Sequence, residues 1–427
     1  MTAPNADLLI EQLKFLIQKP ESFSHDDSKR AEIERLGRLA SRALETPEET
    51  MRRLIFSPLP LITTRIGQDF NLFSTLAQHS ESRPASISDL SKATGLEKSI
   101  LTAIMDYNGG QGVSLEVKSG FYAPTKLTHL LLQPAINDAI LTFHDCVLPT
   151  FAALHGVLKS TGAADSLTAF QAGHNTSEKD IYVWLEDHPV QQGAFYRFMK
   201  TVNAGLPTWL DVVRFDEEVG VNAKPDEILF VDVGGGFGWQ CRALRRTYPQ
   251  LPGRVILQDR SDVITKAQGV EDTVPFSQLG IEAVGYDFFT AQLVKGARAY
   301  YLGMILHNWD DDACLKILRQ QAAAMTENSV LLVEDYVLGE RAAGAHYAAA
   351  FGIAMQAVHN ARERSREDFV RLFGLVGLEL DEIRVVTQFG ISILFARKKT
   401  DDKGITDCQN SKLLISIFAV YFKLTSV

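Results

Sequence analysis

The sequence predicts an α/β protein: a doubly wound sheet in the C-terminal half, behind a mostly helical N-terminal half. Three observations carry this. From Glu227 to Lys398, apolar runs of strand length alternate with helix-forming stretches. The first run, Ile228–Val233, ends in the cluster Gly234-Gly235-Gly236-Phe237-Gly238, and helix-forming residues from Trp239 to Arg246 follow. Before residue 220 apolar residues recur at helical spacing, apart from one short hairpin-like piece.

The bulk properties narrow the class. At 427 residues the chain predicts two or three units. A hydrophobic share of 46% with 22% charged residues fits a soluble globular protein. The net charge of -9 argues against nucleic-acid binding, which needs a basic patch. Cys146, Cys241, Cys314 and Cys408 form no CxxC pair, so neither a structural zinc nor any other metal site is expected, and a reducing compartment is. The N-terminus lacks a basic segment leading into an apolar core, and no apolar run approaches the ~20 residues of a bilayer span. A cytoplasmic protein with no membrane partner is the expectation.

Along the chain, Leu8, Leu9, Leu13 and Leu16 mark an amphipathic helix over 7–18. A polar linker from Pro20 to Asp27 separates it from a second helix, Ser28 to Leu44. Thr46-Pro47-Glu48-Glu49 reads as the cap and first turn of a third. Helices then follow at Leu61 to Leu76, from Ser86 to a break at Gly95, and at Lys98 to Asp106. Val113 to Val117, a Lys118-Ser119-Gly120 turn and Phe121-Tyr122 make a small ribbon. Helices plus a ribbon suggest a winged-helix-like unit. With one lysine in the recognition-helix position, dimerisation is the preferred role over DNA binding. Residues 135–215 read as wholly helical, and their aromatics, among them Phe143, Tyr182, Phe195, Tyr196 and Trp209, serve either as core or as walls for a planar apolar ligand.

The sheet is assigned to Ile228–Val233, Arg254–Gln258, Ile281–Tyr286, Ala299–Leu302, Val330–Val333, Leu378–Val386 and Gly390–Ala396. The units expected are 1–50 (helices), 51–160 (winged-helix-like), 161–225 (helical connector and pocket), 226–399 (sheet domain) and 400–427 (tail). In the tail, Leu413 to Phe422 is β-prone and nearly uncharged, either an appendage or a segment docked on the fold.

The chemistry concentrates at strand ends. The loop spaces Asp232, Gly234, Gly236 and Gly238 as D-x-G-x-G-x-G. A dinucleotide fingerprint starting at Gly234 requires glycine at 239, where Trp239 stands. The spacing suits S-adenosyl-L-methionine, which has no pyrophosphate, although another kind of glycine-rich loop is an alternative. Asp259, 21 residues after Gly238, ends the next strand, where a carboxylate accepts both ribose hydroxyls; a solvated strand-end aspartate is the plainer account. Asp287 and Phe288, in Tyr286-Asp287-Phe288-Phe289, suit an adenine amine and ring face, and suit an ordinary turn nearly as well. His307 follows the fourth strand as a general-base candidate, against the commoner structural histidine. Trp309 either stacks on a cofactor ring or packs. Glu334, read as following the strand Val330–Val333, and Glu363, before the helix near Arg366, are the acids available to orient the imidazole; alone, Glu363 reads as a solvated charge.

These motifs, VDVGGGFG, ILQDR, GYDFF, ILHNWDDDAC, LLVED and RERS, in this order, resemble those of S-adenosylmethionine-dependent O-methyltransferases of the caffeate type, and of the fungal secondary-metabolite enzymes among them. The resemblance covers about residues 50–399. It implies a Rossmann-like catalytic domain and a winged-helix-like dimerisation domain that swaps between subunits. It implies that His307 is the base, that Glu334 and Glu363 flank it, and that Gly234, Asp259, Asp287 and Phe288 hold the cofactor. The sequence departs from the family at Gly303, where a basic residue is common four positions before the histidine, and at Asn308, where an acid is usual. O-methylation of a small aromatic or polyketide-type molecule by a homodimer is the expected function. The alternatives are a pericyclase or dehydratase that keeps the cofactor without spending its methyl, a winged-helix regulator, and, weakest, a nicotinamide dehydrogenase.

Overall fold

The structure is a computed structural model that describes residues 5–399 apart from 24–25, 161–166, 179–180, 202–205, 270–273, 340–344 and 388. The tail segment from Leu413 to Phe422 lies outside the described residues.

The N-terminal part is helical because each segment pairs an amphipathic face with a cap. Asn5 caps Ala6–Gln18, and Asp26 caps Asp27–Leu44. Thr46 and Glu49 form a reciprocal capping box at the start of Pro47–Ile55, with proline in the first turn. The single helix expected from Leu61 to Leu76 is two, Leu59–Asp69 and Leu72–Leu76. Asn71 breaks it by adopting a left-handed φ of 55°, a conformation asparagine tolerates better than most residues. Three short strands, β1 (Ala85–Ser86), β2 (Ser114–Lys118) and β3 (Phe121–Pro124), pair in the order β1-β3-β2 beside helices Ile87–Thr94 and Lys98–Gly110. This is the helix-and-ribbon arrangement the sequence suggested.

Within 135–215 the described backbone is helical but broken, with a π turn at Phe143–Val147. Pro134–Lys159 is, by length and composition, apolar enough to cross a membrane, contrary to the sequence reading. Here it packs on helices Pro189–Thr201 and Ala169–His174, and its Asp138 pairs with Arg197 at 2.7 Å.

The C-terminal part is built on strands β4 (Ile228–Val233), β5 (Arg254–Asp259), β6 (Ile281–Gly285), β7 (Ala299–Gly303), β8 (Val330–Leu338), β9 (Arg364–Ser365), β10 (Leu378–Val385) and β11 (Ile391–Lys398). Their order is β10-β11-β8-β7-β4-β5-β6, with β9 beside β8. Strands β4 to β8 are mutually parallel, while β11 runs antiparallel to both β8 and β10. The first strand is central, so the order reverses on either side of β4. A crevice opens there at the carboxyl ends, where doubly wound sheets bind ligands. Alternate residues feed two apolar layers: Tyr301 and Leu332 on one face, Tyr300 and Val333 on the other.

One boundary matters for the site. Strand β8 runs five residues beyond the expected Val333, to Leu338. Glu334 and Asp335 therefore lie inside a strand, because pairing with β11 (Ile393 opposite Glu334, Ser392 opposite Asp335) carries the ladder past the apolar run.

Candidate active site

The glycine loop leaves β4 with Gly234, Gly236 and Gly238 at φ of 72°, 56° and 71°, the left-handed region that disfavours a Cβ. The amides of Gly234 and Gly235 donate to the Gln258 carbonyl at 2.8 and 3.1 Å, tying the loop to β5. A Cβ on Gly235 would fall 2.4 Å from the Asp232 carboxyl carbon, and one on Gly234 2.7 Å from Ile305. At Gly236 a Cβ would meet nothing within 4 Å. The loop is thus packed on its inner side and open at Gly236, as a backbone that a ligand approaches closely must be.

Asp259, at the end of β5, accepts from the Gly236 amide at 2.8 Å and from the Arg260 amide at 2.7 Å. Two carboxylate oxygens offer about four lone pairs, so acceptor capacity remains for vicinal hydroxyls. Asp232 lies beneath the loop, 1% exposed, with the Cys241 thiol 3.7 Å away. Burial pushes its carboxyl up to about 7, and the neighbouring charges of Asp259 and Glu334 push the same way. It holds the loop from below, so it is a support rather than a surface contact.

Asp287 is exposed and accepts from the Phe289 amide at 2.9 Å, which makes the turn that presents Phe288. Phe288 borders the loop: its Cε1 is 3.5 Å from where a Gly234 Cβ would stand. Trp309 meets Phe288 and Phe289 edge-on, at centroid distances of 6.0 and 4.9 Å. The half-buried Phe288 and Trp309 form the aromatic flank of the crevice.

His307 stands on a short helical turn, Leu306–Asn308, after β7. Its Nδ1 lies 3.0 Å from Glu363 Oε1 and 3.6 Å from Asp335 Oδ1. Both acids are buried, and among the described residues Asp335 Oδ1, Asp335 Oδ2 and Glu363 Oε2 have no hydrogen-bond partner. Ligating atoms of all three residues lie within 4.8 Å of one another. Burial opposes charge on the imidazole, but the Asp335 charge and the Glu363 hydrogen bond outweigh it and raise His307 to about 8. Burial likewise raises Asp335, with His307 pulling it back down. With Nδ1 engaged by carboxylates, Nε2 is left as the proton-accepting end. Arg364 braces the turn: fully buried, it donates to the Leu306 and Trp309 carbonyls at 2.7 and 2.8 Å and pairs with Asp311.

Glu334 is a correction. The pleat directs it away from His307, and its carboxylate instead accepts a hydrogen bond from the buried Tyr301 hydroxyl. Asp335 takes the flanking position assigned to Glu334. Strand alternation from Leu332 could have revealed this had β8 been extended. Sequence reasoning also missed Arg364, quoted only within RERS, and Tyr301. Nothing in a single sequence marks a buried arginine that braces a turn. The backbone just before the base is unusual as well: Met304 takes a left-handed φ of 53°, and its amide donates to the Glu334 carbonyl at 2.8 Å.

Aromatics from the helical part (Tyr182, Tyr196) and from the sheet domain (Tyr336, Phe351) lie around the site. Tyr196 meets Phe237 of the glycine loop at 6.1 Å, Tyr182 meets His359 at 6.0 Å, and Tyr336 stacks on Phe351 at 4.8 Å with its ring 6.5 Å from His307. Trp209 is not among them; it is fully buried and stacks on Phe230.

The O-methyltransferase domain profile matches residues 226–379. The chain is 30% identical over 345 residues to "O-methyltransferase ucdC" of Aspergillus ustus, covering 80% of this chain and 87% of that one. It is 29% identical over 358 residues to "Demethylsterigmatocystin 6-O-methyltransferase" of Aspergillus parasiticus, covering 82% and 88%. Among solved structures, "The structure of LepI complex with SAM" superposes with a TM-score of 0.78 at 29% identity, over 92% of this chain and 100% of that one. One described as "A Pericyclic Reaction enzyme" does so with a TM-score of 0.78 at 28% identity, over the same shares.

Proposed function

The chain belongs to the family of S-adenosylmethionine-dependent O-methyltransferases, and on that premise we propose that it methylates a hydroxyl of an aromatic or polyketide-type small molecule, with His307 as the base. The observation that carries the assignment of the base is the imidazole anchored through Nδ1 by two buried carboxylates, next to the glycine loop.

S-adenosylmethionine supplies an electrophilic methyl group at this site. Gly234, Gly236 and Gly238 would admit its backbone-proximal part, Asp259 its ribose hydroxyls, and Asp287, Phe288 and Trp309 its adenine, with Asp232 supporting the loop from below. The open face at Gly236 and the spare acceptors on Asp259 fit those groups. His307 Nε2 takes the proton of the acceptor hydroxyl as the oxygen becomes nucleophilic. Asp335 and Glu363 then balance the imidazolium within a low-dielectric surrounding. Tyr182, Tyr196 and Tyr336 orient a planar acceptor and exclude water, so that much of the rate comes from alignment.

The test is incubation with methyl-labelled cofactor and an extract of the producing organism. Label in a product heavier by one methylene supports the proposal, whereas a product with no added mass overturns it. That second outcome defines the other reading, a pericyclase or dehydratase. The pericyclic-reaction enzyme that superposes on this chain favours it.

Homodimerisation accompanies the proposal. Leu9, Leu13, Leu36, Leu39, Leu54 and Ile55 are exposed on the N-terminal helices, more apolar surface than a monomer of this kind leaves in water. Light scattering that returns a monomer at micromolar concentration would contradict it.

A further inference from the structure

Gly303 stands where a basic side chain is common in the family, and the structure shows what fills the space. A Cβ on Gly303 would lie 2.6 Å from Tyr301 Cε1 and 2.9 Å from its hydroxyl. The Tyr301 ring owns that volume. It is fully buried and held by Trp209 at 5.2 Å and Phe230 at 5.5 Å. Its hydroxyl donates to Glu334.

The register places this group on one line. Asp232 is opposite Tyr301 across β4 and β7, and Gly303 is opposite Glu334 across β7 and β8. In parallel strands, paired residues and those two apart share a face, so Asp232, Tyr301, Gly303 and Glu334 do as well. Gly234 follows Asp232 by two residues. Met304, bound to the Glu334 carbonyl, precedes His307 by three. The row therefore leads from beneath the glycine loop to the carboxyl end of β7, from which the chain continues through Met304 to the turn bearing His307. Asp232 and Glu334 are both buried, and among the described residues neither has an ion-pair partner. Burying two carboxylates without a counter-ion is costly. A cation delivered by the ligand removes that cost.

We infer that Glu334, fixed by the Tyr301 hydroxyl in the space left by Gly303, is the carboxylate that reads the positive charge of the cofactor's sulfonium. Glycine at 303 leaves the Tyr301 ring and the Glu334 carboxylate side by side, with no cationic side chain from that position between them. The inference rests on the reading of His307 as the end of the site where transfer occurs. It also implies an asymmetry: once the methyl has moved to oxygen, the carbon–sulfur electrons stay on sulfur as a neutral thioether, the hydroxyl proton resides on His307, and Glu334 no longer has a cation to hold. The acid thus favours S-adenosylmethionine over S-adenosylhomocysteine.

Titration calorimetry on the full chain tests this without any acceptor, using S-adenosylmethionine, S-adenosylhomocysteine and sinefungin, the last of which places an ammonium where the sulfonium sits. The wild type should prefer both cations. Glu334→Gln should weaken those two on the order of tenfold while changing S-adenosylhomocysteine by no more than about twofold. Tyr301→Phe keeps the ring and should act in the same direction with a smaller effect; it decides the matter if Glu334→Gln does not fold. Wild-type ratios among the three ligands in the folded variants would overturn the inference. Failure of methyl transfer is scored separately: unchanged ratios with active transfer sink this inference alone, and a collapsed ratio in a protein that never transfers label sinks the methyl-transfer reading alone.

Discussion

Glu334 and Asp335 share a peptide bond yet face opposite sides of the sheet, one bonded to Tyr301 and the other 3.6 Å from His307. Substitutions at the two positions should therefore separate. The kcat/KM of transfer should rise with pH as His307 loses its proton, with the limb at about 8 in the free protein and lower once a cationic cofactor is bound. Asp335→Asn removes a charge that holds the proton on, so the limb moves to lower pH. Glu334→Gln leaves the limb where it is. A pH–rate profile of each variant checks both.

His307 and Asp335 also leave a stability signature. His307 is raised from 6.5 to about 8, so its contribution is complete below pH 6.5 and is lost as pH rises through 8. One and a half units correspond to about 2 kcal/mol. Burial also raises Asp335, which adds a loss in the same direction as it ionises. Thermal melts of the wild type should fall between pH 6.5 and 8.5 more steeply than those of His307→Asn.

His307→Ala should cut methyl transfer by roughly 10² to 10⁴. Calorimetric binding of S-adenosylmethionine should persist, because the glycine loop and Asp259 do not depend on the imidazole for their bonds. Transfer at the wild-type rate would remove His307 from the mechanism.

Gly236→Ala separates binding from folding. Its φ of 56° costs an alanine about 1–2 kcal/mol, and its Cβ meets nothing within 4 Å among the described residues. The melting temperature should fall modestly while cofactor affinity drops steeply, because the methyl occupies the open face. Equal binding by the two proteins would place the ligand elsewhere.

Gly303→Ala behaves differently, because its new methyl meets the Tyr301 ring. The overpacking should cost about 1–3 kcal/mol. Placing it in a Tyr301→Ala background should cancel most of that cost. Denaturant unfolding of the two singles and the double variant measures the coupling.

The sequence disclosed the fold wherever one physical pattern dominated. Apolar runs ending in glycine or acid placed β4, β5 and β7, and the Thr46 cap marked a helix start. It was less legible where tertiary contacts override local pattern. Strand β8 extends through Glu334 and Asp335 because β11 pairs with it, and an acidic dipeptide gives no strand signal. Asn71 split a helix that its apolar spacing suggested was continuous. Within the site, His307, Asp259 and the glycine loop were identifiable because strand ends are where such chemistry collects, whereas Glu363 alone read as a solvated charge and was singled out only by the resemblance. Tyr301 stood unmarked in an apolar strand and Arg364 within RERS, since their roles arise only from what packs against them.

Glu363 reaches His307 from the segment that leaves helix Ala345–His359, and that helix packs on Leu148–Lys159 and Ala169–His174 as well as on the turn bearing the base. Of the two carboxylates that raise the imidazole's proton affinity, Asp335 belongs to the sheet, whereas Glu363 is anchored through a helix that packs on the N-terminal half. The strength of the base thus depends on both halves of the chain at once, one acid held by strand pairing and the other by helix packing.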